Sequence, residues 1–332
     1  MPYAMQAPPT QPPLLVLGIL CNERRRNWAS RLRKLYAPFV DSGRVVVRYV
    51  YDEKWLARKS WQKLPDEIGV PTGRGLNMHC AHKMVGWWRG AHRWSGTFYA
   101  KTDDDATLDL ARLLPLIERL PRHRLYSGIL RYSSINETSL EGVCWSAGAH
   151  GAVKKHMKHC PTSRGPIVFA EGPFILMSQD VQRWVAPKLH IDSRQRCHFE
   201  DLLLGRELMA IPALNIANLG PLIAEPNVVS SPTRHHRKGM WLGTKGPLAH
   251  WTRTEALYGR TLASFARAEQ QVPIRTHPSF NCSLWRREFM LLRDFPCCQD
   301  WSLCAPADAG EHWATLRRTY LGGVPRLGVP LP

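Results

Sequence analysis

The sequence lacks a hydrophobic run long enough to cross a membrane. Its longest uninterrupted apolar stretch is LLVLGILC, residues 14–21, whereas a membrane-spanning helix needs about 20 predominantly apolar residues. The residues before this stretch lack the basic start of a signal peptide, so we interpret it as a buried strand. We therefore expect no membrane-spanning segment in this chain.

Other familiar patterns are also missing. None of the nine cysteines forms a CxxC pair, which argues against a zinc ribbon. The chain has no G-x-x-x-x-G-K-[ST] loop, which argues against a P-loop phosphotransferase, and no internal repeat. Hydrophobic residues make up 44% of the chain and charged residues 22%, which is typical of a globular protein and excludes wholesale disorder.

Acidic residues are scarce relative to basic ones. The chain has 45 lysines and arginines against 27 aspartates and glutamates, a formal net charge of +18. Such a charge attracts anions at long range. Nucleic acid, an acidic membrane surface, a sugar nucleotide and a sulfated glycan all fit, and solvated arginine-rich helix faces account for part of the excess.

The first hundred residues alternate between apolar strand-like and amphipathic helix-like segments. Residues 14–20, 45–51 and 96–101 have the apolar or β-branched composition of buried strands, with helical apolar spacing between them. Strand, helix, strand, helix, strand predicts an α/β nucleotide-binding domain, with a parallel sheet and helices on its faces.

The pattern becomes less regular further along the chain. Residues 132–165 are polar and aperiodic, and we expect them to form a functional loop or lid. Helices are predicted at 108–120, 178–189 and 198–210, and strands at 125–130 and 167–170. The expected organisation is a Pro-rich lead at 1–13, a catalytic domain at 14–255 and an irregular, cysteine-containing extension at 256–332.

Three consecutive aspartates, Asp103, Asp104 and Asp105, follow directly on an apolar strand. Their mutual repulsion is most simply offset by a divalent cation, and the carboxyl ends of parallel strands are where α/β sheets bind ligands. The alternative is structural. Asp104 or Asp105 could cap a helix that begins at Ala106, with the other acids solvated at its positive end.

Two further segments could contribute to a site. Glu200 and Asp201 open an apolar helix, where a carboxylate could act as a general base, although acids are common at helix starts in any case. Gly172 lies in EGPFILMS, where a Gly-Pro turn could bring the backbone close to a ligand or serve only as a turn.

Taken in order, these segments resemble glycosyltransferase family 31, the β1,3-galactosyltransferase and Fringe-like enzymes. The resemblance spans residues 14–209. The four segments that carry it are ERRRNW at 23–28, KTDDD at 101–105, EGPFILMS at 171–178 and EDLLLG at 200–205.

The resemblance implies a GT-A fold, a UDP-sugar donor, Mn²⁺ and inversion at the anomeric carbon. It makes Asp105 the direct metal ligand, with Asp103 beside it at the metal site and facing the nucleotide ribose, and it makes Asp201 the general base with Glu200 orienting it. The residues expected on the nucleotide side are Arg26, Lys101, Asp103, Asp104 and Gly172.

A later histidine often completes the metal site in that family. Of His235, His236 and His250, we favour His250 because it follows a short apolar approach in PLAHW. The resemblance also pairs Trp28 with Arg26, although Trp28 fits the apolar stripe of a helix better. It further implies residence in the Golgi lumen.

The leading hypothesis is an inverting, metal-dependent transferase that moves a hexose or N-acetylhexosamine from a UDP-sugar to a glycan or glycoprotein acceptor, with a β1,3 linkage expected. One alternative is a catalytically silent, glycan-binding or chaperone-like relative, against which the intact acids argue. The other is a basic nucleic-acid-binding protein, for which the sequence offers charge but no recognisable module.

Overall fold

The computed structural model has an α/β architecture built on one large mixed sheet. The structure describes residues 11–58, 60–72, 79–136, 143–147, 153–155, 163–190, 200–208, 210–211, 214–219, 248–250, 258 and 262. Within these residues the sheet has nine strands, eight of which follow one another in hydrogen-bonded order while the ninth pairs with one of the eight.

Four parallel strands form the half of the sheet built first along the chain. They are β1 (Leu15–Leu20), β2 (Val45–Asp52), β3 (Glu67–Val70) and β4 (Phe98–Asp103). Strand β1 lies between β2 and β4, with both pairings parallel. All six residues of β1 are buried, as expected for a strand covered on both faces. The predicted parallel sheet is confirmed for β1, β2 and β4, whereas β3 was not predicted.

The other half of the sheet is mostly antiparallel. Strand β9 (Ser163–Ser178) pairs antiparallel with β4 and with β6 (Leu125–Asn136). Beyond β6 lie the antiparallel strands β7 (Val143–Ala147) and β8 (Val153–Lys155), and β10 (Asn215–Asn218) pairs parallel with β6.

The prediction of an irregular loop over 132–165 is therefore wrong. Strands occupy much of that stretch, in β6, β7, β8 and the start of β9. Antiparallel strands can leave one face to water, so a polar sequence without a long apolar run is compatible with them. The parallel sheet predicted from the first hundred residues is extended by these antiparallel strands, which gives the strand order β3-β2-β1-β4-β9-β6-β7-β8.

Helices pack on both faces of the sheet. One core contains buried residues of α1 (Arg26–Asp41) and α4 (Leu110–Ile117). The other contains residues of α3 (His79–Gly90), α5 (Gln179–Val185) and α6 (Glu200–Leu208). A single turn of helix, α2 (Glu53–Leu56), follows β2.

Side chains of β1 alternate between the two cores. Leu15, Leu17 and Ile19 face the α1 side, whereas Val16 and Leu20 face the α3 side. Trp28 is also buried, at 8% exposure, which favours its interpretation as a core residue.

A small second sheet lies next to the aspartate triplet. It pairs β5 (Ala106–Leu108) antiparallel with β11 (Leu248–His250). The predicted helix at 108–120 consequently begins later, at Leu110, and ends at Ile117.

Most of the Pro-rich lead and of the extension at 256–332 lie outside the described residues, apart from residues 11–13, Tyr258 and Leu262. In the part of the chain that is described, no helix is both long and apolar enough to cross a membrane.

Candidate active site at the carboxyl end of β4

The aspartate triplet lies at the topological switch point of the sheet, between the carboxyl ends of β1 and β4. From β1 the chain adds β2 on one side and later β4 on the other, and Leu20 at the end of β1 pairs with Asp103 at the end of β4. In open α/β sheets, the crevice outside the carboxyl ends of two such strands is the usual ligand site. The acids therefore occupy the position that the topology favours for binding.

Lys101 joins the two acid-containing segments. Its side chain is fully buried, and its Nζ lies 2.9 Å from Asp103 Oδ1, 3.1 Å from Glu200 Oε1 and 4.0 Å from Asp201 Oδ1. The same Nζ donates a hydrogen bond to the Gly172 carbonyl at 3.0 Å. Burial alone would lower the pKa of Lys101, but the three carboxylates together raise it above its ordinary value, so Lys101 is a fixed cation.

Gly172 reaches Lys101 because β9 bulges. Gly128 of β6 pairs with Ile175, and Leu130 pairs with Ala170, so residues 171–174 face a single residue of β6. The expected Gly-Pro turn is therefore an irregularity within a long strand. A Cβ at Gly172 would lie 3.1 Å from Lys101 Nζ and from Asp103 Oδ2, and 3.3 Å from Asp201 Oδ2. Such contacts leave no comfortable room for a side chain.

Asp201 is hydrogen-bonded through only one of its two carboxylate oxygens among the described residues. It accepts a hydrogen bond from the Gly172 backbone N–H, while its buried Oδ1 has no hydrogen-bond donor among the described residues. Burial raises the pKa of Asp201 well above the ordinary aspartate value, and Lys101 offsets this in part. A raised pKa makes a carboxylate a stronger base near neutral pH.

Glu200 is held differently from Asp201. Its Oε1 is fixed by Lys101, and its Oε2 is buried without a hydrogen-bond donor in the described part of the chain. Burial raises the pKa of Glu200, and Lys101 lowers it in part. Both acids belong to the first turn of α6, which contacts β9 directly.

Arg25 and the end of β1 hold the remaining two aspartates. Arg25 Nη1 lies 2.9 Å from Asp104 Oδ1 and 3.4 Å from Asp105 Oδ2, and the Asn22 N–H donates to Asp104 Oδ2 at 2.6 Å. Burial raises the pKa of Asp104 to about 7 although Arg25 and this N–H lower it. Asp103 is the most exposed of the three, at 30% of its side chain, against 5% for Asp104 and 7% for Asp105.

The interpretation of these acids as a helix cap is wrong. Residues 106–108 form strand β5, and α4 begins only at Leu110, where Asp109 is the capping residue. Asp109 accepts a hydrogen bond from the Arg112 N–H at 3.4 Å. The triplet therefore receives no stabilisation from a helix N-terminus at Ala106.

His250 lies next to the triplet along the backbone. In the pairing of β11 with β5, His250 is opposite Ala106, the residue that follows Asp105. The competing candidates His235 and His236 lie outside the described residues. This register brings the segment that carries His250 to the site.

Arg26 is not brought to the aspartates. Its guanidinium lies 4.1 Å from the centre of the Trp61 ring and 3.6 Å from Glu67, and it donates to the Gln62 carbonyl. The position at the acids belongs to Arg25, which the sequence interpretation passed over. The three consecutive arginines offered no local signal to choose between them, because the choice depends on a 3₁₀ turn at Glu23–Arg25.

The chemistry of the donors fits a divalent cation. Five carboxylates gather here, whereas ion pairs from Lys101 and Arg25 supply two positive charges within the described residues. Carboxylate oxygens are the donors that Mg²⁺ and Mn²⁺ prefer. No three candidate ligands in the described ranges are already arranged around one point, so a bound ion would require side chains to adjust.

Comparison with known proteins adds no family assignment. No protein-family model matches the chain, and no curated protein matches it with significant similarity. Interpretation of the site therefore rests on its geometry and on the order of the four sequence segments.

Proposed function

We propose that this chain is an inverting, metal-dependent glycosyltransferase with a GT-A fold, which moves a hexose or N-acetylhexosamine from a UDP-sugar to an acceptor hydroxyl. The observation that carries the proposal is the convergence of two acid-containing segments, one with Asp103 and the other with Glu200, on the buried Lys101. A β1,3 linkage to a glycan or glycoprotein and residence in the Golgi lumen follow from the family resemblance and belong to the same proposal.

The acids fall into two groups with different roles. Asp105, Asp103 and His250 would hold the divalent cation, which when bound neutralises the diphosphate of the donor. Arg25 fixes Asp104 and contacts Asp105, and so positions the end of the triplet. Lys101 keeps Asp103 and Glu200 in place from the protein side.

Asp201 takes the proton in the transfer step. The acceptor oxygen attacks the anomeric carbon from the face opposite the diphosphate, and a new carbon–oxygen bond forms as the bond to phosphate breaks. UDP leaves with the electron pair, and the acceptor proton passes to the Asp201 carboxylate. Attack from that face converts an α-linked donor into a β-glycoside, and the raised pKa of Asp201 supports its role as base.

The direct test is UDP release from a panel of UDP-sugars, with Mn²⁺ present or chelated and with glycan acceptors present or omitted. We expect the parent chain to release UDP from one donor, and we expect chelation, Asp105→Ala and Asp201→Asn each to abolish release. The matched control is Asp41→Asn, because Asp41 is an exposed residue at the end of α1.

The silent-relative alternative gives a different result. Metal-dependent UDP binding without transfer or hydrolysis of any donor, and unchanged in Asp201→Asn, would favour a chain that kept the site without the chemistry. Absence of UDP binding would contradict the glycosyltransferase proposal altogether.

A further inference from the structure

A second concave site lies between the end of α3 and α5. It has a volume of about 560 Å³ and is lined by Arg89, His92, Arg183, Ala186 and Pro187. None of the acids around Lys101 lines it.

This basic cavity lies beside the amino end of β4, whereas the acids lie at its carboxyl end. The 3₁₀ turn Ala91–Arg93 precedes β4, and α5 begins directly after Ser178, which pairs with Phe98. From Phe98 to Asp103 the strand spans about 16 Å. The cavity is thus a separate site and not an extension of the acid cluster.

Among the residues that the structure describes, no neighbouring acid neutralises the charge of the cavity. Arg89 Nη2 lies 3.1 Å from His190 Nδ1, and Lys188 Nζ lies 3.0 Å from the centre of the Trp184 ring. Across the described ranges, no carboxylate forms an ion pair with Arg89, Arg183 or Lys188. Elsewhere on the surface, arginines do pair with acids, as in Arg33–Asp66, Arg44–Glu118, Arg112–Asp109 and Arg206–Glu207.

We propose that the basic cavity binds a phosphate or sulfate ester. Guanidinium groups present several N–H donors in a planar fork that matches a tetrahedral oxyanion, and Arg89 and Arg183 are both exposed. His92 adds a third nitrogen-bearing side chain, and Ala186 and Pro187 give an apolar wall for the carbon skeleton of the ester. This inference does not depend on the glycosyltransferase proposal.

Calorimetric titration with two small probes tests the proposal. Inositol 1,4,5-trisphosphate represents phosphate esters, and a trisulfated heparin disaccharide represents sulfate esters. We expect at least one probe to bind the parent chain with submillimolar affinity at low salt. The double variant Arg89→Gln/Arg183→Gln should bind that probe at least about tenfold more weakly, since each charge-assisted hydrogen bond contributes appreciably.

The matched control removes the same charge elsewhere. Lys34→Gln/Lys63→Gln changes two exposed lysines outside the cavity, and its affinity should stay within about twofold of the parent because distant exposed charges are screened. Asp201→Asn should bind the probe as the parent does. The probe that binds identifies the source of the ester.

Three results would overturn the proposal. They are no submillimolar binding of either probe, unchanged affinity in the arginine double variant, and an equal loss in the lysine control, which would indicate a response to net charge alone. Circular dichroism of each variant verifies the fold, which these exposed substitutions should leave intact.

Discussion

The carboxyl end of β4 and the helices beside its amino end carry opposite charge. Five carboxylates gather around Lys101 and Arg25 at the first, whereas no acid among the described residues pairs with Arg89 or Arg183 at the second. In a chain of net charge +18, clustered acids are the costly arrangement, because burial and mutual repulsion both oppose their ionisation. The clustered acids are therefore a stronger sign of a functional site than the abundant basic residues are.

Replacing the proposed base should produce the largest effect. Asp201→Asn should lower the transfer rate by about 1000-fold, because a positioned general base contributes that order of acceleration. Glu200→Gln is the matched change. We expect it to lower the transfer rate by about tenfold, because Glu200 orients Asp201 and does not itself take the proton. Initial rates at saturating donor measure both, and equal losses would contradict separate roles for the two acids.

Removing the central cation should destabilise the acid-rich end. Lys101→Met should lower the free energy of unfolding by about 3 kcal/mol, because it leaves buried carboxylates without their partner. Lys63→Met, at an exposed lysine, should change the free energy of unfolding by less than about 0.5 kcal/mol. Urea unfolding of both variants measures the difference, and similar losses would contradict a special role for Lys101.

The loss in the free energy of unfolding caused by Lys101→Met should become larger as pH rises. Lys101 lowers the pKa of Glu200 and of Asp201, so without it both pKa values rise further in the folded state. The folded state then binds more protons than the unfolded state at mildly acidic pH, and stability falls as pH rises from about 5 to 8. A stability loss that becomes smaller as pH rises would contradict the expected effect of Lys101 on the two carboxylates.

A side chain at Gly172 tests whether the close approach of Gly172 to Lys101 and Asp201 is needed for activity. Gly172→Ala should lower kcat/KM by about tenfold, because the added Cβ displaces the Lys101 and Asp201 side chains and small misplacements at a reacting centre are costly. Gly90→Ala is the control, since nothing lies within 4 Å of a Cβ there. Equal activity of the two variants would show that the close approach at Gly172 is not needed.

The smallest expected effect concerns Asp104. Because burial raises its pKa from 3.8 to about 7, the folded state binds a proton more tightly than the unfolded state, and stability falls as pH rises through this interval. Asp104→Asn should therefore be more stable than the parent at pH 8, by about 1 kcal/mol, and the gain should shrink at pH 5. Thermal unfolding at both pH values checks this, with Asp41→Asn, at an exposed residue, as the control. A less stable Asp104→Asn at pH 8 would contradict it.

Three of the four strands in the parallel half, β1, β2 and β4, were predictable from sequence because they carry strong local signals, whereas the short strand β3 was not predicted. β1 and β2 are continuous apolar runs, and β4 ends directly in the acids. The antiparallel half was missed over residues 132–165, since its strands lack such runs. A polar strand is recognised by its pairing partner, which a local pattern does not contain.

The site shows the same division between local and distant information. The position of the aspartate triplet at the edge of the sheet was predictable, because the triplet directly follows a buried strand. The roles of Arg25 and Lys101 did not, because they depend on a 3₁₀ turn and on a bulge in β9 that joins segments far apart in sequence. The order of the four motifs predicted that Asp103 and Asp201 belong to one site. Their separation in the sequence would not have predicted this.

The central claim is that the acids at the end of β4 hold a metal ion and a uridine nucleotide together. Calorimetric titration of UDP into the parent chain with Mn²⁺ tests it most directly. We predict binding that chelation abolishes, that Asp105→Ala weakens by at least about 100-fold, and that Asp41→Asn leaves unchanged. Absence of UDP binding, or UDP binding that is the same without Mn²⁺ and in Asp105→Ala, would contradict the claim.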